Sequence, residues 1–335
     1  MGFTQATTCL LRIHMACGIV HRQRRRENGS LERMTTQLVT GNEDRTKEMK
    51  SATLNIMNGV HPATNGATPK KLVSLDVDGT LVNHDGHMSP RVREMAQAVV
   101  NEGHHVVIST GRSLGATLPI VELLGIERGH AVASNGGVTL RIDTSGLDGY
   151  EVINRETFHP GQVLGKLRKA LPTAKFALET VTGEFLATER FQDMSFGVDA
   201  RGVAFDQLLD VEAVRLVVFS TDTSAEDFGD AVQNIGLHGV TYSVGYSAWL
   251  DIAGEGISKA SALQNLHDRL TNAGHVISET VAVGDGRNDV EMLQWADRGV
   301  AMGQAPDEVK SVANEVTGGV DEDGLADVLE SLLER

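Results

Sequence analysis

The sequence predicts an α/β fold in which a parallel-sheet domain carries an inserted α+β domain, and three observations support this prediction. Short apolar runs at residues 72–75, 105–109 and 131–134 alternate with amphipathic stretches, a pattern typical of β-α-β units. Residues 138–252 instead contain pairs of apolar runs joined by turn-forming residues, which indicate β-hairpins. From Ser258 onward the alternation of helix and strand patterns resumes.

Local signals along the chain define the individual elements. Ser89 and Pro90 are typical of a helix start, and Gly103 is typical of a helix end. The turn-rich residues 143–149 separate the two strands of the first predicted hairpin. Further helices are predicted at 114–124, 162–171, 225–235, 259–270, 290–296 and 325–333. Strands are predicted at 72–75, 105–109, 131–134, 138–142, 150–158, 176–180, 184–188, 214–220, 240–244, 249–252, 280–283 and 299–302.

These elements divide the chain into three parts. Residues 69–138 and 251–335 are predicted to form the parallel-sheet core, and residues 139–250 the inserted α+β domain. Residues 1–68 lack a sustained periodicity of apolar residues, which predicts a disordered extension or a start site placed too early. Their arginine-rich composition leaves a transit peptide open as an alternative. Both cysteines of the chain lie in this segment, so the folded body has no thiol, which is compatible with a reducing, cytoplasmic setting.

The charge of the chain excludes several classes of partner. The formal net charge is −15. Nucleic acids and anionic membranes are bound mainly through clustered Lys and Arg, so neither is an expected partner. No run reaches the roughly 18 apolar residues that a membrane-spanning helix needs. We expect a monomer or a weak homo-oligomer that acts on a small molecule.

Two carboxylates follow the first predicted strand. Asp76 and Asp78 lie one residue apart and are followed by Gly79. In an extended chain they point to the same side, and open α/β sheets bind their ligands at the carboxyl ends of the strands. Two carboxylates this close repel each other unless a cation lies between them or one is protonated. The pair indicates either a functional site or a polar turn, and residues later in the chain must decide between them.

Three further groups of polar residues are predicted at the same edge of the sheet. They are Thr110-Gly111-Arg112, Gly256-Ile257-Ser258-Lys259 and Gly284-Asp285-Gly286-Arg287-Asn288-Asp289. With Asp76-Val77-Asp78-Gly79-Thr80, their order and spacing over residues 69–335 resemble the haloacid dehalogenase (HAD) superfamily, and more narrowly its Cof-type branch, subfamily IIB. The resemblance implies a Rossmann-like HAD core with an inserted α+β cap domain. It also implies a phosphatase, a phosphoric monoester hydrolase.

The resemblance implies a catalytic role for the first motif. Asp76 would attack phosphorus and become an aspartyl phosphate, and Asp78 would protonate the leaving alkoxide and later take a proton from water. A cation must neutralise the negative charge of both reactants. The resemblance implies Mg²⁺ held by Asp76, the backbone carbonyl of Asp78 and Asp285, with Asp289 supporting the site; few carboxylates plus water is a ligand set that Mg²⁺ prefers.

The phosphoryl group would be bound by a second set of residues, which the resemblance identifies as Val77, Thr110, Gly111, Arg112, Lys259 and Asn288. Lys259 is predicted in the first turn of a helix, where a cation opposes the helix dipole, so a nearby anion is expected. Alternatives remain for three of these residues, because Thr110 and Asn288 are also typical helix caps and Arg112 could form a surface salt bridge. Trp249 is expected to be a packing residue.

The predicted function is hydrolysis of a small phosphorylated metabolite, either a sugar phosphate or a phosphorylated cofactor precursor, through an aspartyl phosphate. One alternative is a phosphohexomutase of the same superfamily, which would return the phosphoryl group to the sugar. The other is a non-catalytic Asp/Mg²⁺ phosphoacceptor module, although such modules lack the second Asp and the long inserted domain.

Overall fold

A computed structural model describes residues 69–189, 195–245 and 247–333. The extension predicted for residues 1–68 lies outside the described residues. Strands are β1 Lys70–Leu75, β2 His105–Ser109, β3 Arg128–Ala133, β4 Val138–Asp143, β5 Tyr150–Arg155, β6 Lys175–Thr180, β7 Phe185–Ala187, β8 Arg201–Gly202, β9 Ala213–Phe219, β10 Val240–Val244, β11 Trp249–Gly254, β12 Ile277–Gly284, β13 Arg298–Ala301 and β14 Glu315–Val316. Helices are α1 Pro90–Asn101, α2 Leu114–Leu124, α3 Gly161–Ala170, α4 Ala225–Ile235, α5 Lys259–Asn272, α6 Val290–Trp295, α7 Asp307–Lys310 and α8 Gly324–Ser331.

An eight-stranded sheet forms the core of the fold, in the order β14-β13-β12-β1-β2-β3-β4-β5. All pairs from β14 to β3 are parallel. The central strand β1 has Leu72, Val73 and Leu75 fully buried, because helices cover both faces of the sheet. Helices α1, α2 and α8 contribute to the apolar cluster on one face, and α5 and α6 to that on the other. The predicted α/β fold is confirmed.

A second sheet of six strands has the order β10-β11-β9-β6-β7-β8 and is antiparallel except for the pair β7–β8. Its side chains alternate between two environments, as the period of two in a strand requires. Leu216 and Val218 of β9 join the apolar cluster formed with α3 and α4. The intervening Val217 packs in a different cluster, with Phe185 and Phe196.

The sheets divide the chain at positions that differ from the predicted boundaries. The hairpin β4–β5 extends the eight-stranded sheet, whereas residues 139–250 were expected to form the inserted domain. A one-turn 3₁₀ helix at Ser134–Gly136 reverses the chain, so that Val138 pairs with Ala133 and β4 stays beside β3. At the other boundary, β11 remains in the six-stranded sheet up to Gly254, which pairs with Val240 of β10. Within the described residues, no helix has the length and apolar character that crossing a membrane requires.

Candidate active site

The two strands at the centre of the eight-stranded sheet place carboxylates at the same edge. Asp76 directly follows β1, and its amide donates to the carbonyl of Val283 in β12 at 3.0 Å. Asp285 directly follows β12. Both residues are buried, at 4% and 5% exposure. Parallel strands therefore bring two residues 209 positions apart in the chain to one site, as the crossover topology of an α/β sheet predicts.

Lys259 is the fully buried cation of the site. Ser258 caps helix α5, so Lys259 lies in its first turn. The Lys259 Nζ donates to Asp76 Oδ1 at 2.6 Å and to Asp289 Oδ1 at 2.6 Å. Burial lowers the pKa of Lys259, but the two carboxylates outweigh this effect and keep its pKa above the ordinary value. Lys259 is therefore charged, and the two carboxylates are the anions next to the helix start.

Asp289 holds the loop that carries Asp285. Its Oδ2 accepts hydrogen bonds from the amides of Asp285 at 3.0 Å and Gly286 at 2.9 Å, while its Oδ1 binds Lys259. A side chain at Gly284 would meet the Asp289 carboxyl carbon at 2.5 Å, so the close approach requires a glycine there. Asp289 thus orients both the lysine and the loop.

Three buried carboxylates meet where a cation could bind. Oxygens of Asp76, Asp285 and Asp289 lie within 4.8 Å of one another. Fully ionised beside Lys259, the three carboxylates would give the group a net charge of −2, and buried charges are costly unless they are paired. Burial and the Asp289 charge raise the pKa of Asp76, against the effect of Lys259, and raise the pKa of Asp285 to about 7. A divalent cation with hard oxygen ligands fits this donor set and this charge.

Asp78 lies apart from this cluster. Its carboxylate accepts from Arg112 Nε at 2.9 Å and from Arg112 Nη2 at 2.5 Å. The Asp78 side chain is 59% exposed, and that of Arg112 is 12% exposed. Both residues line the same cavity as Asp76. Arg112 thus forms a salt bridge with Asp78, which is the alternative to phosphate binding that the sequence analysis left open for Arg112.

The other predicted phosphate-binding residues surround Asp76 in different ways. Val77 is fully buried, and its carbonyl accepts from the amides of Leu81 and Val82, which closes the loop after β1. The hydroxyl of Thr110 is buried and accepts from the amide of Arg112 at 3.1 Å. Gly111 and Asn288 line the cavity.

The site also contains residues that were not predicted from the sequence to belong to it. Gln304 donates to the carbonyl of Gly79 at 2.6 Å and to Asp285 Oδ2 at 3.3 Å. Arg215, Trp249 and Asp251 of the six-stranded sheet line a cavity of about 560 Å³ together with Asp76. The sequence signal for Arg215 was that it is the single charged residue in the otherwise apolar strand of residues 213–219. Gln304 lies in a loop without a recognisable motif.

The carboxylates and the buried lysine lie at the carboxyl ends of the strands, which is where enzymes with open α/β sheets bind their ligands. A profile of the haloacid dehalogenase-like hydrolase family matches residues 73–329, and the chain belongs to this family. The prediction of the superfamily is therefore confirmed.

Three similar proteins illustrate the family. YkrA of Bacillus subtilis is 28% identical over 269 residues, covering 78% of this chain and 97% of the relative. The 5-amino-6-(5-phospho-D-ribitylamino)uracil phosphatase YcsE of the same organism is 29% identical over 265 residues, covering 76% and 93%. The solved structure of a HAD subclass IIB sugar phosphatase shares the fold, with a TM-score of 0.63 at 23% identity over 78% of this chain and 98% of the other.

Proposed function

We propose that this protein is a Mg²⁺-dependent phosphatase that hydrolyses a small phosphorylated metabolite through an aspartyl phosphate on Asp76. The observation that carries the proposal is the buried Asp76 carboxylate held by Lys259 at 2.6 Å, in a cavity that Asp78 also lines. The related phosphatases support the reaction class. Their names also supply two candidate substrates, a sugar phosphate and 5-amino-6-(5-phospho-D-ribitylamino)uracil.

The Asp76 carboxylate is arranged to act as a nucleophile. Lys259 binds Oδ1, and within the described residues no hydrogen bond is made to Oδ2. In the proposed reaction Asp76 Oδ2 forms a bond to phosphorus as the bond to the leaving oxygen breaks, and the protonated form of Asp78 donates its proton to that oxygen and becomes the carboxylate that Arg112 binds. Water then attacks the aspartyl phosphate, Asp78 takes its proton, and phosphate and free Asp76 are released. Lys259 offsets the negative charge that accumulates.

A divalent cation would be held by Asp76 and Asp285, with Asp289 orienting the loop. When bound, it would shield the negative charges of phosphate and nucleophile from each other. Asp289 already uses Oδ1 for Lys259 and Oδ2 for two amides. We therefore assign it a supporting position, and Asp78 would contribute its backbone carbonyl.

We also propose a division of labour between the two sheets. The eight-stranded sheet and its helices would form the catalytic core, and the six-stranded sheet would form a cap that selects the leaving group. The cavity supports this division, because Asp76 and Asp285 line it from the core while Trp249 and Asp251 line it from the second sheet.

The experiment that tests this function is phosphate release from a panel of phosphate monoesters by the full chain, with added Mg²⁺ or with EDTA. We expect release with Mg²⁺, and its loss in EDTA and in Asp76→Asn. A hydroxylamine-sensitive phosphate label should form on the wild-type protein and be absent from Asp76→Asn. Sugar isomerisation without phosphate release would identify a mutase instead. If the whole panel gives neither phosphate release nor sugar isomerisation, while a stable phosphate label forms on the protein, the phosphatase proposal is contradicted and a phosphoacceptor module is favoured.

A further inference from the structure

The six-stranded sheet turns one charged strand residue toward the cavity. In β9, Leu216 and Val218 pack against the apolar cluster that includes α3 and α4. Arg215 and Val217 occupy the opposite face, because side chains alternate along a strand. The Arg215 side chain is only 3% exposed and lines the same cavity as the catalytic aspartates. Burying an arginine in a sheet is costly unless its donors are used.

The donors of Arg215 are used only in part. Nε donates to Asp251 Oδ1 at 2.5 Å, and Asp251 Oδ2 accepts from Trp249 Nε1 at 3.0 Å. Arg215 Nη1 is buried and has no hydrogen-bond partner in the described part of the chain. A buried donor that is left without an acceptor destabilises the folded protein. The Arg215 side chain also lines the cavity, so a ligand bound there would meet its guanidinium group.

The charges of the cavity argue against a second anionic group as that ligand. Among the described residues that line the cavity, three arginines each pair with a carboxylate: Arg112 with Asp78, Arg215 with Asp251, and Arg287 with Glu308. A second phosphate or carboxylate at the Arg215 guanidinium would therefore lie beside the Asp251 carboxylate, whose charge would repel it. A hydroxyl both donates and accepts, so neighbouring hydroxyls can satisfy Arg215 and Asp251 together.

We infer that Arg215, Asp251 and Trp249 form the subsite for the leaving group and select an uncharged, polyhydroxylated one over one that carries a second anion. The Arg215 guanidinium donates to one hydroxyl, and the Asp251 carboxylate accepts from another. The Trp249 ring supplies an apolar surface beside them, of the kind that the C–H face of a polyol can cover. This inference rests on the proposed phosphatase function, because it concerns the organic part of the same ester.

The test compares kcat/KM for three kinds of ester in the full chain with Mg²⁺. The probes are a set of hexose and pentitol monophosphates, fructose 1,6-bisphosphate, and p-nitrophenyl phosphate. The wild type should prefer the best polyol monophosphate over the bisphosphate. In Arg215→Met the ratio of kcat/KM for the polyol monophosphate to kcat/KM for p-nitrophenyl phosphate should fall about 10- to 100-fold, because a hydrogen bond from a charged donor is lost. Asp251→Asn should raise the relative activity toward the bisphosphate.

Two further variants keep the test decisive. Arg215→Lys retains the charge without the planar donor group and should lower the same ratio, which guards against misfolding of Arg215→Met. Arg201→Met removes an exposed arginine of the same sheet, paired with Glu184 at 2.7 Å, and should leave the ratio unchanged. An unchanged ratio in folded Arg215→Met and Arg215→Lys, or a wild type that prefers the bisphosphate, overturns the inference. No Mg²⁺-dependent hydrolysis of any probe would instead contradict the phosphatase function itself.

Discussion

Arg112 binds both carboxylate oxygens of Asp78, through Nε at 2.9 Å and Nη2 at 2.5 Å. The two residues come from the loops after neighbouring strands, β1 and β2, so the sheet itself sets their distance. A planar guanidinium fixes both the position and the plane of a carboxylate. Asp78 is thereby held at the wall of the cavity, although more than half of its side chain is exposed.

We predict that Asp78→Asn slows turnover about 10²- to 10⁴-fold, the usual contribution of general acid–base catalysis. The defect should depend on the leaving group, because p-nitrophenolate needs no proton whereas a sugar alkoxide does. Rapid-quench labelling should still detect phosphate on Asp76 with p-nitrophenyl phosphate, since the nucleophile and Lys259 remain. An equal loss with both leaving groups would argue that Asp78 acts in binding and not in proton transfer.

Arg112→Lys tests the positioning role of the pair separately. Lysine keeps the charge but cannot bind both oxygens in one plane. We expect a smaller loss of kcat than in Asp78→Asn, with the same dependence on the leaving group. Arg141→Lys is a matched control, because Arg141 pairs with Glu151 at 2.6 Å on the exposed surface, and it should behave like the wild type. A leaving-group-independent loss in Arg112→Lys would place Arg112 on the phosphoryl group instead.

Lys259→Met should destabilise the metal-free protein by about 3–5 kcal/mol, because removing one partner leaves buried carboxylates uncompensated. Asp76 and Asp289 each lose a contact of 2.6 Å in this variant. Mg²⁺ should recover part of the stability, since a divalent cation offsets the same charges. The measurement is the Tm with EDTA and with Mg²⁺; a Tm in EDTA equal to that of the wild type would show that the cluster is not ionised without metal.

The sequence alone could predict most of this centre, and the reason is topological. Asp76, Asp285 and Lys259 lie next to strand or helix ends, and parallel strands bring such ends together whatever their separation in the chain. Gln304 could not be found this way, because its role depends on a loop that folds back onto Gly79. The position of the hairpin β4–β5 was also not predictable, since two apolar runs joined by turn-forming residues indicate a hairpin but do not indicate which sheet it joins.

Gly79→Ala should weaken Mg²⁺ binding and reduce activity. Gly79 has φ +87°, and a Cβ there would clash with Asp285 Oδ2, so the alanine would push aside the proposed metal ligand. Gly86→Ala is a matched control in the same loop region, because Gly86 has φ +75° but no atom within 4 Å of the added Cβ. Both variants carry backbone strain of about 1–3 kcal/mol, but only Gly79→Ala should raise the Mg²⁺ concentration needed for half-maximal rate. Equal Mg²⁺ requirements would separate Asp285 from the metal site.

The last prediction concerns His130, which lies in β3 away from the carboxyl edge that carries Asp76. Burial, then the nearby His105, Arg141 and His275, lower its pKa to about 4. The folded protein therefore resists protonation of His130 while the unfolded chain accepts a proton near pH 6.5. This contribution to stability is fully present above pH 6.5 and is lost as the pH falls toward 4.

His130→Gln should remove this pH dependence while costing some stability at neutral pH. The measurement is the difference in Tm between variant and wild type from pH 7.5 to 4.5, because groups at the active site titrate in both proteins and cancel in the difference. His159→Gln, which removes an exposed histidine, is the control and should show a constant difference. The difference for His130→Gln should instead shrink, and then change sign, as the pH falls, since only the wild type must protonate an unfavourably placed imidazole. A difference that stays constant with pH would mean that His130 titrates alike in the folded and unfolded chain.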